Sequence, residues 1–121
     1  MFAVLRPDQS VQPVEVTPTL YPDLLSNFDQ FKGHTLVSVH SFSKDWATWE
    51  RHPAGDEIVM LLAGPVTLHL QTDDGETAVT LTTMGQYIVI PQGLWHTAKV
   101  SEPTTLLFIT PGEGTENVRV E

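Results

Sequence analysis

Four side chains in this sequence are of types that do chemistry together: Glu50, His52, Glu57 and His96. Three of them fall in Trp49–Gly64, Trp-Glu-Arg-His-Pro-Ala-Gly-Asp-Glu-Ile-Val-Met-Leu-Leu-Ala-Gly. Carboxylates and imidazoles set between apolar strands are costly to bury unless paired or coordinated. Residues two apart in an extended chain share a face. Glu50 and His52 therefore point one way, with Trp46 and Thr48, while Trp49 and Arg51 point the other. Pro53 keeps His52 extended, Pro53-Ala-Gly-Asp reads as a turn, and the chain returns at Glu57 into the apolar run Ile58 to Ala63. The fourth residue closes a second stretch, Gly85-Gln-Tyr-Ile-Val-Ile-Pro-Gln-Gly-Leu-Trp-His96. There a β-rich run, Tyr87 to Ile90, stops at a Pro-Gln-Gly turn and a new extended segment begins at His96. Neutral imidazole and carboxylate both ligate first-row divalent metals. The other reading of His52, Glu57 and His96 is a polar cluster satisfied by its own hydrogen bonds.

The elements that must position these groups are mostly strands. Residues 1 to 21 carry Pro7, Pro13 and Pro18 and read as an extended arm without helix. Leu24, Leu25, Phe28 and Phe31 recur at helical steps after Pro22, so one short amphipathic helix is expected over about residues 22 to 32, stopped by Gly33. It is expected to pack on the main sheet. From Leu36 the text changes to strands: Leu36 to Phe42, Trp46 to His52, Glu57 to Ala63, then Val66, Leu68 and Leu70 alternating with Thr67, His69 and Gln71. Asp73-Asp74-Gly75 marks a hairpin, and Thr77, Val79 and Leu81 alternate on the return. Tyr87 to Ile90, His96 to Val100 and Thr105 to Thr110 follow. Short strands at regular spacing, with Gly, Pro and Asp at the turns, predict an antiparallel barrel or sandwich. The tail beyond Pro111 frays or adds an edge strand.

Composition narrows the function. The 121 residues make one domain, and 40% hydrophobic residues suffice for one core. The absence of cysteine removes disulfides, thiolate zinc sites and thiol nucleophiles. Six basic residues against fifteen acidic, net charge −9, are scattered rather than clustered, which argues against nucleic-acid binding. No run is long enough to span a membrane and Met1 to Leu5 is too short for a signal peptide, so a cytoplasmic protein is expected. There is no phosphate-binding glycine loop, no serine nucleophile elbow and no His-Glu-x-x-His helix. His34, His40 and His69 match no motif and read as ordinary surface or sheet residues.

The two stretches together resemble the two motifs of the cupin superfamily. The first motif of that family runs Gly, five residues, His-x-His, three or four residues, Glu, six residues, Gly; here His52, four residues, Glu57, six residues and Gly64 match it. The second runs Gly, five residues, Pro-x-Gly, two residues, His, three residues, Asn; Gly85, Pro91, Gly93 and His96 match with every spacing kept. Three positions depart: Lys44 replaces the first Gly, Glu50 the first His and Val100 the final Asn. The resemblance spans residues 44 to 100. It implies an all-β, single-domain cupin-type β-barrel (a double-stranded β-helix), with an arm and short helix over residues 1–35, the barrel over 36–112 and a tail over 113–121.

The same resemblance implies a divalent metal ion, Mn, Fe, Zn or Ni, held by His52, Glu57 and His96. Glu50 is then a fourth ligand, a free catalytic carboxylate, or a partner of Arg51 or Lys44. Trp46, Trp49, Tyr87 and Trp95 are candidates to line the pocket mouth, core packing being their ordinary role. The expected function is to bind or act on a small organic ligand, with oxygenase or isomerase chemistry. The alternatives are a non-catalytic module sensing a small molecule or metal, and a metal-free acid–base enzyme of epimerase type using Glu50, Glu57, His52 and His96. A homodimer is expected, with the arm or an unpaired sheet edge available to a second copy.

Overall fold

The structure, a computed structural model, describes residues 1–121. Eleven strands and one α-helix follow one another as β1 (Phe2–Leu5), β2 (Val11–Val14), α1 (Leu20–Asn27), β3 (Thr35–Phe42), β4 (Thr48–Arg51), β5 (Glu57–Ala63), β6 (Val66–Thr72), β7 (Gly75–Leu81), β8 (Tyr87–Ile90), β9 (His96–Lys99), β10 (Thr104–Thr110) and β11 (Glu116–Arg119). They form two antiparallel sheets, β2-β1-β3-β10-β5-β8 and β11-β4-β9-β6-β7. Sequence alternation dictates how the sheets face each other. On β5 and β6 every second residue is buried: Glu57, Val59 and Leu61, then Val66, Leu68 and Leu70. The core between the sheets is built from these with Leu81, Ile90, Ala98, Leu106 and Phe108.

The β5–β6 turn shows why a glycine is needed. Gly64 has φ +75°, and a Cβ there would lie 2.1 Å from the Pro103 carbonyl oxygen. Only a residue without a side chain fits both the left-handed backbone and that approach.

The arm is more regular than its prolines suggest. β1 and β2 pair as a hairpin, Phe2 opposite Val14 to Leu5 opposite Val11, and β1 also pairs with β3. Pro13 sits on edge strand β2, where a missing N–H costs nothing. The first residues thus extend the larger sheet. The helix is shorter than the spacing predicts. It begins at Leu20, with Pro22 in its first turn, and ends at Asn27. Asp29, Gln30 and Phe31 then form a tight turn with φ of 52°, 54° and 63°. Left-handed backbone costs non-glycine residues roughly 1–2 kcal/mol each. Burial of Phe31, with Leu20 and Leu24, in a second cluster against Phe2, Val4 and Leu36 offsets that cost. The tail forms edge strand β11, paired with β4 from Glu116 opposite Arg51 to Arg119 opposite Thr48.

The outer face of the larger sheet is apolar. One cross-strand row runs Tyr87, Met60, Leu107, Val39 and the next Val89, Ile58, Ile109, Val37. Tyr87, Val89 and Val39 are among the exposed large hydrophobic side chains.

Candidate metal centre

The four sequence candidates come together between the two sheets. Glu50 lies opposite His96 in the β4–β9 pairing, so both project from the inner face of one sheet. His52 follows the end of β4, and Glu57 opens β5 in the facing sheet. The turns between them are clamped to each other. Gly93 N–H donates to the His52 carbonyl at 3.0 Å. Gln92 donates from its backbone to Asp56 Oδ1 at 2.8 Å and from its side chain to the Pro53 carbonyl at 2.6 Å. Gly93 holds φ +75° there, which glycine adopts without strain.

His52 Nε2 is 2.8 Å from Glu50 Oε1 and 3.2 Å from Glu57 Oε2, and His96 Nε2 is 3.2 Å from Glu57 Oε1. His52, Glu57 and His96 are 4%, 2% and 0% exposed, while the Glu50 side chain is 28% exposed. The far sides of the rings assign the tautomers. Thr115 donates its hydroxyl proton to the Gly112 carbonyl at 2.9 Å, so its oxygen accepts from His52 Nδ1–H at 2.9 Å. His96 Nδ1–H donates to the Leu94 carbonyl at 3.1 Å. With Nδ1 protonated, both neutral rings turn a bare Nε2 lone pair toward carboxylate oxygens. His52 Nε2, His96 Nε2 and Glu57 Oε1 are buried without a hydrogen bond of sound geometry. Acceptors facing acceptors require a cation between them, either a proton or a metal ion.

The donor set fits a metal ion. One ligating atom from each of the four residues lies within 4.8 Å of the others. An ion bound by nitrogen and oxygen at roughly 2.0–2.2 Å gathers its donors within roughly 4.4 Å of one another. The outer contacts also suit ligation, because a hydrogen-bonded second ring nitrogen fixes the orientation of a ligating imidazole. Thr110 donates to Glu57 Oε2 at 2.6 Å and fixes that carboxylate in turn. These four residues could hold a metal ion.

Without metal, protons carry the balance. Burial by itself would lower the His52 imidazole, but a ring protonated at Nε2 can donate to Glu50 and Glu57, and those bonds with the two carboxylate charges outweigh burial and raise the pKa to about 9. Burial would raise Glu57, but hydrogen bonds to His52 and His96 and their charges hold it down at about 2. The metal-free centre is thus an imidazolium–carboxylate cluster at neutral pH.

Above the centre opens a cavity of about 890 Å³ that reaches α1 and the 29–31 turn. Of the four aromatic candidates, only Trp46 lines it, packed against Phe42 and Phe108 with ring centroids 5.9 Å away in both cases. Trp49, Tyr87 and Trp95, expected at the pocket mouth, do not line the cavity. Trp49 lies opposite Val118 and, one residue before Glu50, points away from the cavity. Tyr87 is on edge strand β8 and 59% exposed. Trp95 lies under the Arg51 guanidinium, 4.8 Å from it. Arg51 in turn bridges to Glu116 at 2.8 Å, so it is not the partner of Glu50. Sequence reasoning missed His40, Thr110 and Thr115. His40 lines the cavity, while His69 lies 3.8 Å from Glu76, away from the centre. Thr110 carried a signal, since Thr104, Leu106, Phe108 and Thr110 share the buried face of β10 and a hydroxyl among them wants a partner. Thr115 carried none, being in a loop far along the chain.

Solved structures place this architecture. A cupin-2 domain protein from Shewanella frigidimarina superposes with TM-score 0.54 at 21% identity, over 64% of this chain and 70% of that one. The fold is that of a cupin. Oxalate decarboxylase from Bacillus subtilis, a protein with Mn(II) centres, matches with TM-score 0.56 at 14% identity over 71% of this chain, which spans only 24% of the decarboxylase. Peruvianin-I, a cysteine peptidase from Thevetia peruviana latex, matches with TM-score 0.59 at 17% identity, over 72% of this chain and 57% of that one. No family model matches the sequence, and comparison with curated proteins finds no match. One cupin architecture thus carries unrelated activities, and its likeness alone assigns none of them. This chain, having no cysteine, has no thiol with which to act as a cysteine peptidase. No helix is long and apolar enough to cross a membrane.

Proposed function

We propose that this cupin-fold chain is a metal-dependent enzyme acting on a small organic ligand, of oxygenase or isomerase type. The carrying observation is the convergence of Glu50, His52, Glu57 and His96 at one end of an 890 Å³ cavity, with ring lone pairs facing carboxylates. His52, Glu57 and His96 would hold the ion, with Glu50 as fourth ligand. A divalent ion there supplies Lewis acidity and, if redox-active, electron transfer. The chain's own groups do the rest. Thr115, Leu94 and Thr110 orient the ligands, and Trp46 packed on Phe108 gives the cavity an aromatic wall. The Mn(II) centres of the B. subtilis decarboxylase support a manganese preference, as does a donor set with two carboxylates.

A metal-free acid–base enzyme is the second reading, favoured by the 2.8 Å contact between Glu50 and His52. Elemental analysis separates the two. Untagged protein dialysed after exposure to manganese, iron and zinc should retain about one ion per chain. His52→Ala and His96→Ala should each lose most of it. Metal-free wild-type protein, or stoichiometric metal in both variants, would overturn the metal-dependent reading.

Two further expectations belong to the same proposal. One is a cytoplasmic location, tested by cell fractionation. The other is a homodimer joined through the apolar outer face of the larger sheet, where two uncharged cross-strand rows suit a second copy of a chain that is otherwise acidic. Val39→Lys with Val89→Lys should shift sedimentation from dimer to monomer, and a monomeric wild-type protein would refute it.

A further inference from the structure

The cavity's walls say which ligands it admits. Its volume, about 890 Å³, is that of a small-molecule site and far exceeds what a six-heavy-atom dianion such as oxalate would fill. Leu24, Phe31, Phe42, Trp46 and Phe108 make much of the wall, so a ligand there gives up its water to aromatic and aliphatic surface. No lysine or arginine lines it. Arg51, nearest in sequence to the metal centre, is bound to Glu116 and stacked on Trp95. The ionised groups that do reach the cavity are Glu50, Glu57 and, without metal, the His52 imidazolium that those two carboxylates hold. A ligand carboxylate would thus meet two carboxylates and one imidazolium already paired with them, and burying a charge without a free partner is costly. A divalent ion would neutralise those two carboxylates, so a ligand carboxylate would gain only what coordination to the ion itself supplies, with no cationic side chain to add to it.

The polar features of the wall are neutral hydrogen-bonding groups. On β3, Leu36, Ser38, His40 and Phe42 point inward, and Ser38 and His40 bring a hydroxyl and an imidazole to the cavity. The His40 ring lies edge-on between Phe2 and Phe108, at centroid distances of 5.1 and 5.7 Å. Burial keeps this imidazole below its ordinary pKa, against a smaller opposing pull from Glu50, so it is uncharged at neutral pH. Neither Ser38 nor His40 spends its side chain on a hydrogen bond within the protein, which leaves both free for a ligand.

We infer that the ligand is an uncharged, mainly apolar molecule of one or two rings, carrying an oxygen or nitrogen that hydrogen-bonds to Ser38 or His40, and that small carboxylates are disfavoured. This rests on the metal-dependent reading only for the ligand's place beside the four ligating groups.

Isosteric probes that differ in charge test it: 2-naphthamide, 2-naphthoate and 2-naphthylmethylammonium, titrated calorimetrically into metal-stripped and manganese-loaded protein. The amide should bind at least about tenfold more tightly than either ion to manganese-loaded protein, and than naphthoate to stripped protein. Naphthoate or the ammonium binding as tightly as the amide to manganese-loaded protein would overturn the inference, as would no amide binding in either form. If manganese does not load and the stripped protein still prefers the amide to naphthoate, the metal-dependent reading fails and the ligand class stands. Leu25→Arg checks the place of binding, since Leu25 lines the cavity from α1 and is 43% exposed, so the fold tolerates arginine. A cation there should tighten naphthoate binding about fivefold or more and leave the amide unchanged. Naphthoate affinity unmoved by Leu25→Arg would overturn binding in this cavity.

Discussion

Metal binding to this centre should expel one proton from His52, and its affinity should climb steeply with pH. Thr115 holds Nδ1–H, so the proton that distinguishes imidazolium from imidazole sits on Nε2, the atom that must ligate. Glu50 and Glu57 hold that proton with a pKa of about 9, in spite of burial. At pH 7 the group is two units below its pKa, and freeing Nε2 costs about 2.7 kcal/mol, or about a hundredfold in apparent affinity. From about pH 7 to about pH 8.5 the affinity should therefore rise roughly 25-fold. Glu57, held at about 2, is already ionised and releases nothing. The assay is zinc or nickel titration against a competing chelator across that range. Calorimetry in buffers of different ionisation enthalpy would count the protons. Glu50→Gln supplies the control, because it removes the 2.8 Å partner of His52 and should flatten the pH slope while weakening binding. Affinity constant within about twofold across the range, or no proton released, would refute the reasoning.

The same groups shape the stability of the metal-free protein. The raised His52 pKa contributes stability that is full below 6.5 and lost as pH rises through about 9; the lowered Glu57 pKa contributes stability present above 4.5 and lost as pH falls toward about 2. Urea midpoints should fall on both sides of neutral pH, by up to about 3 kcal/mol of stability on each, the two being faces of one coupled cluster; a flat profile would contradict this. Thr110→Val keeps the volume but deletes the proton donated to Glu57 Oε2, and should weaken metal binding about tenfold with little change in thermal midpoint. Gly64→Ala places a methyl group against the Pro103 carbonyl at left-handed φ, and denaturation should show a loss of roughly 2 kcal/mol or more with metal stoichiometry intact. Competition among manganese, iron and zinc tests Glu50 as a ligand: Glu50→His should shift preference toward softer metals and Glu50→Gln should weaken all, and unchanged selectivity in both would remove Glu50 from the coordination set.

The sequence by itself determined the fold class and the four groups of the centre. Alternation at Val66, Leu68 and Leu70 can satisfy only one buried sheet face, and the hydrophobic effect acts on that pattern wherever the strand lies. The motif spacings around His52, Glu57, Gly64, Gly85, Pro91 and His96 encode turns, and turns are local chemistry. Other features depend on partners distant in the chain. The hairpin of β1 and β2 was hidden by prolines that an edge strand tolerates, and its pairing with β3 is a tertiary choice. The helix stops at Asn27 because burying Phe31 stabilises a left-handed turn that local propensity disfavours. Trp49 and Trp95 have the same composition as Trp46, yet strand register and the Arg51 stack turn them away from the cavity. Thr110 and Thr115 orient Glu57 and His52 from 53 and 63 residues along the chain. Contacts of that range are decided by how the two sheets close on each other, which no local spacing records.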